Sequence, residues 1–389
     1  MKKAVNLEEN HKDVGRSAQE QSFKMPFIGM HKTELDTPAL LIDLDKMEAN
    51  IRTMAAYFST VNAQLRPHLK THKTPIIAHK QIAAGAIGVT CAKLGEAEAV
   101  IHAGIRDVLI ANQIVGTQKI ARLINLAKHS EIMVAVDNSE NVQAISEAAA
   151  AKDANVRMLV EVNIGMDRCG VEPGEPALAL AELIRKSPNV EFEGLMGYEG
   201  HTVAKPDKAA RNAAAREAMQ ILVDTKSFLE QHGVAVSIMS GGGTGTFNIT
   251  GSIPEMTEVQ AGSYVLMDST YGNVEGIGEH FERALSVLAT VVSRPSTDRI
   301  IVDTGLKVLA KEFGIPQPIG VTGVEMTGLS EEHGKIQVSD ENVSLSPGDK
   351  LEILPTHCCT TVNLHDRYYG IRNGIVESVW EIAARGKAQ

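Results

Sequence analysis

The stretch LRPHLKTHK, residues 65–73, sets Arg66, His68, Lys70, His72 and Lys73 within nine positions. Lys70 stands close behind a short apolar run. A lysine held there among other cations has its ammonium form disfavoured and its neutral, nucleophilic amine populated, which is what a Schiff-base lysine needs. The ordinary alternative is a solvated loop lysine, and Lys73 and Lys80 read as solvated helix lysines.

A second constellation is PTHCCTTVNLHD, residues 355–366. Read as an extended segment, residues i and i+2 share a face, so His357 and Cys359 point one way and Cys358 the other. An imidazole nitrogen with a thiolate is a borderline-soft donor pair suited to zinc. Two protein ligands leave positions open for water or substrate, as at a catalytic ion. The plainer reading is a buried cysteine beside a hydrogen-bonded histidine. The turn EEHG, 331–334, reads as a shaping element, with Glu332 or His333 as the residues that would reach toward such an ion.

SGGGTG, residues 240–245, exposes backbone N–H groups with little side-chain obstruction and suits an anion such as phosphate. It is neither the spaced dinucleotide fingerprint nor a loop ending in Lys-Ser/Thr. Arg168 in NIGMDRCG and Tyr198 in MGYEGH are candidates to orient a planar ring, against the alternatives of a loop salt bridge and a half-buried aromatic. His201 reads as a satisfied loop histidine.

The elements that must carry these residues follow a rhythm. After an apolar strand near 39–43 and a helix for which Asp45 is the expected N-cap, β-prone runs occur near 63–68, 87–91, 107–111, 131–135, 157–163, 192–197, 236–240 and 257–260. Helix-period stretches separate them. Eight strands alternating with helices predict a parallel (β/α)8 barrel, with a doubly wound sheet as the rival. Motif placement favours the barrel. Lys70, Asn112 and Gln113, Arg168, Tyr198, the glycine loop and QAGSY (260–264) all fall at strand C-terminal ends, where barrel enzymes build their sites. Beyond residue 280 the texture changes to short strands joined by turns. The expected organisation is a polar arm over 1–35, a barrel over 36–280 and an all-β domain over 281–389, which the strand at 39–43 can join.

Formal net charge is −10 with 43% hydrophobic and 22% charged residues, which argues against a duplex-binding surface. No stretch approaches a membrane span, and the N-terminal lysines lack the apolar run of a secretory signal. The four cysteines suit no disulfide framework, so a reducing cytoplasm is the expected location.

Taken together, RPHLKTHK, IANQIVG, GMDRCGV, SGGGTG, QAGSYVLMDSTYG, VDTGLK, EEHG and HCCTTVNLHD resemble the pyridoxal-phosphate enzymes of the alanine-racemase-like barrel fold. The group in question holds the D-threonine and D-3-hydroxyaspartate aldolases, with the eukaryotic-type D-serine dehydratases beside them. The resemblance runs from DTPALLIDLD to WEIAARG. It implies pyridoxal 5′-phosphate bound covalently by Lys70, with Arg168 and Tyr198 at its ring. It places Gly242, Gly243, Thr244, Gly262, Ser263 and Tyr264 around the phosphate. It implies a divalent metal (Zn, Mn, Co or Mg) on His357 and Cys359, a homodimer, and a D-3-hydroxy amino acid as substrate, with no nucleic-acid or membrane partner. His357 is also a candidate proton acceptor. The aldolases carry His-x-Asp at the metal, whereas Cys359 matches the zinc-dependent dehydratases. The glycine loop, NLHD and WEIAARG match the aldolases. The expected reaction is cleavage to glycine and an aldehyde, and the alternative is dehydration to ammonia and a keto acid.

Overall fold

The computed structural model describes residues 27–205 and 207–389. Its first strand is β1 (Ala39–Asp43). Eight strands then alternate with helices: β2 (Gln64–Leu65), β3 (Val89–Cys91), β4 (Asp107–Ile110), β5 (Glu131–Val136), β6 (Val156–Glu161), β7 (Val190–Gly197), β8 (Ile238–Gly241) and β9 (Glu258–Val259). They form one all-parallel sheet in the order β2-β9-β8-β7-β6-β5-β4-β3. A parallel bridge between His68 and Thr90, with the Ile87 N–H donating to the Leu65 carbonyl, links the two ends and completes the ring.

The sequence of each barrel strand explains its place. In β5, Ile132, Val134 and Val136 face the surrounding helices, while Met133 and Ala135 join Leu109, Leu159 and Met196 in a separate cluster inside the barrel. A strand covered on both faces reads as a continuous apolar run. The helix Thr117–Ala127 shows the complementary pattern, burying Ile120, Leu123 and Ile124 at i, i+3 and i+4 against the sheet.

The second sheet contains β10 (Leu285–Ser296), β11 (Arg299–Val302), β12 (Gln317–Ile319), β13 (Val324–Leu329), β14 (Gly334–Val338), β15 (Lys350–Leu354), β16 (Arg367–Arg372) and β17 (Ile375–Glu381), with β1 in its middle. β1 runs antiparallel to β10 and parallel to β16.

Two local expectations are corrected. The helix Leu44–Phe58 is capped by Asp43, whose carboxylate accepts the Lys46 N–H, because Asp45 already lies inside the first turn. Of the expected arm, residues 1–26 lie outside the described residues. Residues 27–35 are tied down: Val376 donates its N–H to the Met30 carbonyl, His31 bridges Ile375, Phe27 packs edge-on to Tyr369, and Leu35 is buried.

Candidate active site

Each basic residue of LRPHLKTHK has its own surroundings. Arg66 is buried in the barrel, with Nε 2.9 Å from Glu258 and an Nη 2.6 Å from Asp107. Removing a partner would strand a buried charge at a cost of about 3–5 kcal/mol. The chain then bridges to β3 and tightens into a 3-10 turn, Leu69–Thr71, which carries Lys70 at the C-terminal end of β2. His68 is buried beside it. Burial, reinforced by the Lys70 charge, holds its imidazole well below the usual range, and its Nδ1 has no partner among the described residues. His72 accepts the Thr74 N–H on Nδ1 and meets Gln81 Oε1 through Nε2 at 3.2 Å; burial lowers it to about 4. Lys73 reaches the buried Glu96 at 2.6 Å. It is therefore not the solvated helix lysine that sequence implied, since its backbone lies just beyond the turn, in the left-handed region at φ 53°. The cations of this stretch do not crowd Lys70 as expected: Arg66 and Lys73 are paired with carboxylates, and burial disfavours the charged forms of His68 and His72.

Lys70 lines a cavity of about 240 Å³ at the C-terminal mouth of the barrel. Across it, the Lys70 ammonium lies 6.0 Å from the centre of the Tyr198 ring, and the Arg168 guanidinium lies 5.7 Å from the same ring. Burial pushes the Tyr198 phenol up to about 12, with the Glu199 charge adding to the effect. Arg168 is half exposed and stands 3.9 Å from Glu161, whose other oxygen accepts from Gln113 Nε2 at 2.6 Å. Burial raises the Glu161 pKa, and the Gln113 hydrogen bond opposes the shift.

The glycine loop after β8 lines the cavity through Gly241, Gly242, Gly243 and Thr244. A Cβ on Gly243 would sit 3.2 Å from the Tyr198 ring, tighter than ordinary contact. The freedom of its donors is less general than sequence implied. Gly242 donates its N–H to Glu199 and Gly243 to the Thr246 hydroxyl, whereas the N–H groups of Thr244 and Gly245 make no hydrogen bond among the described residues. Gly262 and Ser263 close the opposite side, and a Cβ on Gly262 would meet the His68 carbonyl at 2.8 Å. Tyr264 departs from expectation. Its side chain turns into the core against Phe281, its hydroxyl accepts from Gln81 at 2.8 Å, and its N–H is taken by Thr244 Oγ1. His201 lies beside Gly165, outside the cavity lining, and Glu332 pairs with Lys307.

The His357–Cys359 segment is not extended. His357 is the N-cap of a short helix, Cys358–Val362, so Cys358 does not point opposite its neighbours. One donor atom from each of His357, Cys358 and Cys359 lies within 4.8 Å of the others. The helix packs on the turn that carries Lys70: Thr71 Oγ1 is 3.4 Å and Ser263 Oγ 4.0 Å from Cys359 Sγ. Thr71 and Ser263 themselves line the cavity, with the cysteine behind them. The Cys358 contact, with that of His357, holds the Cys359 thiol well below its usual range despite burial. Burial pushes Cys358 up instead. Burial alone would lower His357, but Asp268 and Cys359 hold it up, to about 10.

Asp268 was not singled out from sequence. It is fully buried, and one oxygen meets His357 Nδ1 at 3.2 Å and accepts the Cys358 N–H at 2.9 Å, while the other accepts the Tyr271 N–H. Nothing in sequence spacing couples an aspartate in MDSTYG to a histidine so far along the chain. A carboxylate behind a metal-ligating histidine fixes its tautomer and strengthens it as a ligand. Asp268→Asn is therefore expected to weaken binding of a divalent ion about 10- to 100-fold, measured by calorimetric titration of the metal-stripped protein. Unchanged affinity would separate Asp268 from any metal site.

Among known proteins, the sequence profile of the alanine racemase N-terminal domain matches residues 42–270, and that of the serine dehydratase domain matches residues 284–371. A D-threonine aldolase of Arthrobacter sp. is 41% identical over 90% of this chain and 93% of its own length. A 3-hydroxy-D-aspartate aldolase of Paracoccus denitrificans is 36% identical over 95% of this chain and 98% of its own. The solved D-threonine aldolase of Filomicrobium marinum superposes with a TM-score of 0.91 at 39% identity, covering 93% of this chain and 99% of that one. Proteins named D-threo-3-hydroxyaspartate dehydratase and D-serine dehydratase also match, at 29% identity or less.

Proposed function

Because this chain belongs to the D-threonine aldolase family of alanine-racemase-like lyases, we propose that it cleaves the Cα–Cβ bond of D-3-hydroxy amino acids to give glycine and an aldehyde. The observation that carries this reading is the contact between two chemistries: the turn bearing Lys70 touches the helix bearing His357 and Cys359. The lysine lines the cavity, and the donor pair stands directly behind its wall, where Thr71 and Ser263 touch the Cys359 sulfur.

The cavity fits pyridoxal 5′-phosphate. Among the described residues His68 has a buried nitrogen without a partner, the N–H groups of Thr244, on the lining, and of Gly245, next to it, make no hydrogen bond, and Tyr198 presents a wall that the absence of a side chain at Gly243 leaves open. The donor pair fits a divalent ion, with the sulfur favouring Zn²⁺ or Co²⁺ over Mg²⁺. When bound, the cofactor supplies an electron sink and the ion a Lewis acid.

The chain's own residues supply the rest. Lys70 would hold the cofactor through its side-chain amine. Arg168 and Tyr198 would bear on its ring, with Glu161 and Gln113 behind the guanidinium. Asp268 engages His357 Nδ1, which would leave Nε2, once it has given up its own proton, to hold the ion or to take the proton of the substrate hydroxyl. Such a site orders the 3-hydroxyl against the bond to be broken. Chain assembly and location belong to the same proposal. A homodimer is supported by the exposed apolar Phe313, Ile315 and Ile319, the first of which packs edge-on to His357, and the cytoplasm by four free thiols. Among the described residues no helix is long and apolar enough to cross a membrane.

Dehydration is the second reading, favoured by a thiolate where the aldolases of this group carry a carboxylate. Incubation with D-threonine, D-3-hydroxyaspartate and D-serine separates the two. Glycine with an aldehyde is the expected product of the first two, and ammonia with a keto acid in place of glycine would overturn the proposal.

A further inference from the structure

Glu199 follows Tyr198 in the loop after β7, and its side chain is fully buried. Both oxygens are engaged, yet among the described residues none of the partners is a cation. Oε2 accepts the Gly242 N–H at 3.2 Å, and Oε1 accepts the hydroxyls of Thr246, at 2.6 Å, and Thr250. The Thr246 hydroxyl is a relay, since it also accepts the Gly243 N–H at 3.3 Å. One carboxylate thus gathers three donors from the glycine loop and the short helix Phe247–Thr250 behind it, and holds a fourth, the Gly243 N–H, through Thr246.

A carboxylate placed there to attract an anion has the wrong sign, so its contribution must be to geometry. Gly242 adopts φ +73°, where glycine is favoured, and this turn delivers its N–H to Glu199. With Gly242 and Gly243 committed to the carboxylate side, Thr244 and Gly245 are left with free N–H groups. We propose that Glu199 is a positioning residue for the anion-binding loop: by taking up the Gly242 N–H and the Thr246 and Thr250 hydroxyls, it selects which backbone donors remain for a phosphate group. The proposal rests on the reading that the cavity holds pyridoxal 5′-phosphate.

The test compares pyridoxal 5′-phosphate with pyridoxal, which has the same ring and aldehyde without the phosphate. Dissociation constants of both are measured for the full chain, for Glu199→Gln and for Thr250→Val. Glutamine puts an amide donor against hydroxyls and an N–H that need an acceptor. The expected result is a loss of about 10- to 100-fold for pyridoxal 5′-phosphate, with pyridoxal changed by less than about twofold. Thr250→Val should show a smaller loss with the same selectivity, and it decides the matter if Glu199→Gln does not fold. Equal losses for both compounds, or no loss for either, would overturn the proposal while leaving the cavity reading intact. An unsubstituted chain that binds neither compound would overturn both. The identity of the cleavage products does not enter the comparison.

Discussion

Replacing Lys70 by alanine is expected to remove covalent cofactor attachment, the visible absorbance that accompanies it, and activity, the last on the order of 10⁴-fold or more, since a covalent catalyst loses a whole step with its nucleophile. The local structure makes this assignment narrow. Lys70 is the residue of LRPHLKTHK whose amine faces the cavity and the Tyr198 ring. Lys73 spends its ammonium on Glu96, and Lys80 lies on the helix Pro75–Ala83 against Glu48. The side chain at 70 belongs to a turn held by backbone hydrogen bonds, so its truncation should leave the fold in place. Absorbance spectra and mass spectrometry of the borohydride-reduced protein check the result. A retained visible band, or a reduced adduct mapped to another lysine, would move the cofactor away from Lys70.

The second large effect concerns the metal. Chelation, or His357→Ala, is expected to abolish cleavage while covalent cofactor attachment survives, because an attachment at Lys70 would need no help from an ion. His357→Ala should weaken the ion by more than the roughly 100-fold that losing a supporting carboxylate costs. Cys359→Asp should leave the fold intact and move the preference from Zn²⁺ or Co²⁺ toward Mn²⁺ or Mg²⁺, since a carboxylate is the harder ligand. The Thr71 and Ser263 hydroxyls that approach the sulfur can donate equally to a carboxylate oxygen. Activity restored to the stripped proteins by each ion in turn measures the shift. A metal order unchanged by Cys359→Asp would exclude position 359 from the ligand set, and full activity after exhaustive chelation would exclude the metal from the reaction.

Most of the barrel was legible in the sequence because its strands are covered on both faces. Such strands appear as apolar runs between turn signals, and each of the eight runs overlaps an observed strand. The second sheet was legible as a change of texture at about residue 280, and β1 joins it. What misled was local propensity. CCTTV is rich in residues that favour strands, yet it forms a helical turn because Asp268, supplied by the barrel's last loop, accepts the Cys358 N–H. Lys70, Arg168, Tyr198 and the glycine loop could be singled out because their positions relative to the strands are local facts. Asp268, Glu199 and Thr71 could not, since their importance lies in partners brought together only by the fold. Tyr264 shows the limit from the other side: a residue inside a recognisable motif whose ring faces away from the cavity.

The position of β1 bears on how the molecule comes to be made. β1 leaves the ribosome before its neighbours β10 and β16, which follow only after the whole barrel has been made. The barrel can close around its own nearby contacts while this apolar strand waits with both edges unpaired. Pairing over such a separation carries the loop-closure entropy that slows folding, and an unpaired apolar edge is the kind of surface on which nascent chains aggregate. When β10 arrives it covers one edge, and β16, made later still, covers the other. The sheet that carries the Cys358–Val362 helix is therefore completed only once β16 has been made, so a chain interrupted near residue 280 would hold a barrel and a waiting strand but neither of the residues proposed to hold a metal.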